Sequence, residues 1–76
     1  MTSTIKFYQR GNNTWFIERH DEREVRTIGT IERHHVSLSD LDSCEFAVQV
    51  GGARRVIHDG DFADAAEVAC DMAKVA

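Results

Sequence analysis

No stretch of the 76-residue chain approaches the ~18 consecutive apolar residues of a membrane span, and Met1 to Lys6 lacks the apolar core of a secretory signal. A transmembrane protein is thereby excluded, and the cytoplasm is the expected location. Cysteine is scarce: Cys44 and Cys70 do not form a CxxC pair, so neither a zinc knuckle nor a redox dithiol is indicated, and both thiols are expected to be reduced and buried. Positive charge is in deficit. Nine Lys and Arg stand against thirteen Asp and Glu for a formal −4, the reverse of the surplus that a duplex-DNA binder carries. No glycine cluster has the form of a phosphate loop, and no serine sits in a nucleophile elbow. What is present is a foldable chain. It is 42% hydrophobic, carries Phe7, Tyr8, Trp15, Phe16, Phe46 and Phe62, and at 8.6 kDa has room for one domain, residues 1–76.

Most of the chain reads as strands. Ile5 and Phe7 alternate with Lys6 and Tyr8, Gly11-Asn12-Asn13 signals a turn, and Thr14 to His20 is rich in aromatic and β-branched residues. A third run, Arg26 to Val36, follows a charged link, Asp21 to Glu24, that holds neither Gly nor Pro. Centring that hairpin near Glu24 sets Ile17 against Ile31 and Glu22 against Arg26. Leu38 and Leu41, within the polar run Ser37 to Ser43, have the spacing of one helical turn. Cys44 to Val50 and Ala53 to His58 flank Gly51-Gly52, whose tolerance of positive φ suits a two-residue hairpin loop. That loop pairs Phe46 with Ile57, Val48 with Arg55 and Val50 with Ala53 on the core face, and Glu45 with His58 and Ala47 with Val56 on the other.

The last segment reads as a helix, because Ala65, Val68, Ala69, Met72 and Ala76 recur at the 3.6-residue period. Asp64 with Glu67 has capping-box spacing, and Asp61 is an alternative cap one turn earlier. Phe62 is placed to staple the incoming chain to the core. The expected fold is α+β: an antiparallel meander of four or five strands with one C-terminal helix packed on one face.

Histidine stands beside carboxylate in three places, His20-Asp21-Glu22, Glu32-Arg33-His34-His35 and His58-Asp59-Gly60-Asp61. Neighbours along a strand point to opposite faces, so these groups do not converge on one ion, and neither metal nor cofactor is expected. Cys44 and His58 fall on opposite faces of their hairpin, which leaves no nucleophile beside a base and no indication of an enzyme.

Charge is the remaining signal. Residues 1–58 hold eight basic and eight acidic residues, whereas residues 59–76 hold five acids and only Lys74, so the whole excess of −4 lies at the C-terminal end. Asp61, Asp64, Glu67 and Asp71 form a stripe on the polar side of the helix, suited to a protein partner with a basic surface. In its size, its lack of catalytic groupings and that stripe, the chain resembles small phage or mobile-element inhibitors of host defence, the anti-CRISPR class among them. The resemblance implies a non-enzymatic inhibitor or adaptor that occupies a basic site on a larger, nucleic-acid-handling complex. Such inhibitors share no motif, so no residue role is carried over.

The alternative is a small DNA-binding domain. Arg54-Arg55-Val56-Ile57, leading into Asp61-Phe62 and an Ala-rich helix, resembles the sheet-plus-helix domains of phage integrase N-termini and AP2 proteins. That resemblance implies DNA contact through sheet and hairpin arginines, here Arg10, Arg19, Arg33, Arg54 and Arg55. The neutral sheet and anionic helix depart from those basic domains and make nucleic acid the less favoured partner. A core this small also leaves room for a homodimer built by pairing free sheet edges.

Overall fold

Alternating apolar residues build five strands, and the 3.6-residue repeat builds one helix. In the computed structural model, which describes residues 3–35, 44–58 and 60–75, these are β1 (Thr4–Gln9), β2 (Thr14–His20), β3 (Val25–His35), β4 (Cys44–Val50), β5 (Ala53–His58) and α1 (Phe62–Val75). Each strand pairs antiparallel with its neighbour in sequence, giving one open sheet of order β1-β2-β3-β4-β5. The helix lies on one face, mainly over β4, and touches β3 and β5 at its flanks. This is the expected α+β meander. The Leu38/Leu41 turn, Asp59 and Ala76 lie outside the described residues.

The two layers close on a small core. Ile17, Ile31, Phe46, Val48 and Val50 from the sheet meet Ala65, Ala69, Met72 and Ala73 from the helix. Alanine at three of the four helical positions lets the helix axis come close to the sheet, and the β-branched and aromatic side chains below fill the space. Val68, expected on the apolar face, is half-buried at its margin, and Ala73 takes a buried place instead. Phe62 anchors the start of the helix in an aromatic group, with ring centroids 4.6 Å from Trp15, 5.7 Å from Phe7 and 6.5 Å from Phe46. Such pairs contribute ~0.5–1.5 kcal/mol each beyond their buried area.

The β4–β5 hairpin has the register that Gly51-Gly52 implies: Phe46 opposite Ile57, Val48 opposite Arg55, Val50 opposite Ala53. Gly51 carries the positive φ, 59°. The β2–β3 register differs from expectation. Ile17 pairs with Gly29 and Trp15 with Ile31, while Arg26 faces Arg19 rather than Glu22. Two local features cause the shift. Asp21 caps a tight turn, its Oδ1 accepting from the backbone N–H groups of Arg23 and Glu24 at 2.9 Å each. A β-bulge then leaves Ile28 without a partner between the Ile17–Gly29 and Glu18–Thr27 pairs. Beyond the bulge, a Cβ at position 29 would collide with the Gln49 carbonyl, so β3 and β4 approach as they do only because residue 29 is glycine.

Candidate functional site

The acidic stripe is set by how α1 is started and how it is turned. Asp61 and Asp64 cap the first turn reciprocally: Asp64 N–H donates to Asp61 Oδ1 and Asp61 N–H donates to Asp64 Oδ2, both at 3.1 Å. The alternative cap, Asp61, is therefore the one used, and not the Asp64–Glu67 box that the spacing first suggests. With Ala65, Ala69, Met72 and Ala73 directed into the core, helical geometry turns Asp64, Glu67 and Asp71 to solvent, and all three are exposed, as is Asp61. Among the described residues no ion pair within 4 Å engages any of the four. Asp61 and Asp64 each commit one oxygen to the cap.

Glutamates on the sheet are placed differently. Glu18, Glu32 and Glu45 face His20 at 3.0 Å, His34 at 3.3 Å and His58 at 2.7 Å, all on the face away from the helix, and Glu24 pairs with Arg26 at 2.9 Å. Register makes His34, Glu45 and His58 successive neighbours across β3, β4 and β5. Among the described residues, however, no group of three or more His, Cys, Asp and Glu is arranged to hold a metal ion, and no buried side-chain N or O lacks a hydrogen-bond partner. Cys70 is a free, half-buried thiol.

The five arginines of the alternative reading do not form one patch. Strand alternation puts Arg54 of β5 on the open face, and Arg10 lies over the Phe16 ring at 5.6 Å on the same face, with β3 and β4 between them. Arg19, Arg33 and Arg55 project on the helix side. Arg19 is half-buried and held against the end of the helix, its Nη2 donating to the Ala73 carbonyl at 2.7 Å. Arg33 lies over Trp15 at 5.6 Å and donates to Asn12 O at 2.8 Å and Asn13 Oδ1 at 3.0 Å. Sequence reading missed both roles, because nothing near Arg19 or Arg33 in the chain marks its partner. It also missed that Tyr8, Val25 and Val56, on three different strands of the open face, are the large apolar side chains left most exposed.

No protein-family model matches the chain, and neither a curated protein nor a solved structure matches it. No helix among the described residues is long and apolar enough to cross a membrane.

Proposed function

We propose that the chain is a non-enzymatic protein-binding module that docks the outer face of α1 on a basic surface of a larger assembly, as an inhibitor or adaptor at a site that otherwise receives nucleic-acid phosphates. One observation carries this reading. Asp64, Glu67 and Asp71 stand exposed in a row without a cationic partner among the described residues, whereas three sheet glutamates, Glu18, Glu32 and Glu45, and Glu24 in the β2–β3 turn each have a histidine or arginine within 4 Å. A row of like charges on one rigid element sets up a directed field that speeds encounter with a basic partner and rejects acidic ones. The DNA-binding alternative draws less support, because Arg19 and Arg33 are engaged in hydrogen bonds within the chain and the others lie on different faces. Pairing of two copies along an edge strand of the sheet is compatible with docking, since it leaves the outer helix face uncovered.

The test is affinity capture with mass spectrometry, comparing the natural chain with Asp64→Asn/Glu67→Gln/Asp71→Asn. Exposed ion pairs contribute ~0.2–1 kcal/mol each, so the triple variant should bind a Lys- and Arg-rich partner about tenfold more weakly while keeping its circular dichroism spectrum. Undiminished capture removes the basis for the stripe. Tight, steeply salt-dependent binding of labelled duplex DNA, lost in Arg54→Ala/Arg55→Ala, overturns the reading in favour of the alternative.

A further inference from the structure

Exposed charge gives direction and rate, but tight binding depends on an apolar anchor driven into a dry pocket. At the C-terminal end of the acidic row the molecule has a solvent-open cleft with an apolar floor. The cleft, of about 460 Å³, opens between the β4–β5 turn and α1, lined by residues 50–55, Arg54 and Arg55 among them, and by Asp71 and Met72. Its floor is apolar, because Val50 and Met72 belong to the core and are 2% and 8% exposed, and Ala53 is too small to cover them. Its mouth is open at the turn, where a side chain at Gly51 or Gly52 would meet nothing within 4 Å. The volume lies within the ~300–1,000 Å³ of ligand pockets, and the unbranched thioether of Met72 can adjust to the shape of what enters.

The walls decide what fits. Asp71 stands on the helix wall and continues the row of Asp64 and Glu67. Arg55, paired with the buried Val48, projects from β5 onto the same side of the sheet. Both are exposed, and among the described residues no ion pair within 4 Å engages either. We infer that this cleft is an anchor pocket for a peptide segment of the partner. One large apolar side chain enters between Met72 and Ala53, Lys or Arg residues on one flank pair with Asp71, Glu67 and Asp64, and a carboxylate on the other flank meets Arg55. The inference rests on the docking role of the helix face and adds to it the chemistry of the occupant.

The probe is a synthetic lysine-rich peptide with one central Trp followed by Glu, compared with the same peptide carrying Ser for Trp, each titrated into ¹⁵N-labelled protein. The Trp peptide should bind at least tenfold more tightly and shift the amides of residues 50–53, 71 and 72. Ala53→Trp, made at an exposed strand position, fills the cleft and should bring the two peptides within twofold of each other. Equal affinity of the two peptides for the natural chain overturns the pocket. If both then weaken in Asp64→Asn/Glu67→Gln/Asp71→Asn, the docking role of the helix survives without it. A Trp preference that is indifferent to the triple variant keeps the pocket and discards the acidic row. Binding by neither peptide overturns both.

Discussion

At the turn between β2 and β3, Asp21 supplies the conformational constraint that glycine or proline supplies elsewhere. Its carboxylate accepts from two backbone N–H groups, and its own N–H donates to Glu24 O at 3.0 Å. Those bonds, from Arg23 first and then Glu24, hold the Asp21 carboxyl below the ordinary aspartate range. Slight desolvation opposes them, and Arg26 and Arg19 add smaller attractions. A carboxyl with a lower pKa in the folded state than in the unfolded state stabilises the fold above its unfolded pKa. That contribution is lost as pH falls through the folded value. Asp21→Asn keeps an acceptor oxygen and removes the charge. The natural chain should therefore exceed the variant in denaturant stability at pH 7, and the gap should close as the solution is acidified through the aspartate range. A gap that does not change with pH contradicts the assignment. The same residue explains why the middle register was illegible. Asx chemistry at Asp21 and the bulge at Ile28 move the pairing without altering the alternation of Ile17 and Ile31, both of which remain fully buried.

Helix α1 is bounded at both ends by side chains of different origin. Its start is local and could be read directly, since Asp61 and Asp64 are three residues apart and Phe62 between them is the first helical residue. Its end is not local. Lys74 lies in the last turn, but the described bond to a terminal carbonyl comes from Arg19, 54 positions earlier in the chain. A guanidinium on a helix C-terminus satisfies a carbonyl that has no intrahelical donor and opposes the negative end of the dipole. Arg19→Met keeps much of the aliphatic stem and removes the donor, and should cost ~1–2 kcal/mol in chemical denaturation with loss of ellipticity from the final turn. Lys74→Ala should cost only a few tenths of a kcal/mol by the same measurement, because an exposed charge near a helix end is screened by water. Equal costs would show that the Arg19 bond does not hold the helix end.

Among its described residues the molecule is a one-sided sheet. Its helix covers one face, the other shows Tyr8, Val25 and Val56, and β1 and β5 are the edge strands. A two-residue loop makes Val50 and Ala53 a hydrogen-bonded pair, so Ala53, Arg55 and Ile57 bond inward to β4. The N–H groups of Arg54, Val56 and His58 then point away from the sheet. In dilute solution these three amides should exchange with deuterium far faster than those of β3 and β4. If two copies pair along this edge, their protection should rise with protein concentration while the β3 amides stay unchanged. Protection independent of concentration, together with a monomer mass in sedimentation, argues against that mode of pairing.

Sequence alone determined the elements and their order, because helix and strand periodicities, the Gly-Gly loop and the aspartate cap are written within a few residues of where they act. It determined the β4–β5 register for the same reason, since a two-residue loop leaves one alignment of Phe46, Val48 and Val50 with the core. Tertiary structure decided which arginines are free and which are held, the alignment of β2 on β3, and the cleft at the end of the acidic row. Each depends on groups far apart in the chain, Arg19 with Ala73 or Val50 with Met72, that meet only when the helix settles on the sheet. Contacts of that kind leave no period in the sequence, because no local backbone geometry repeats between their partners.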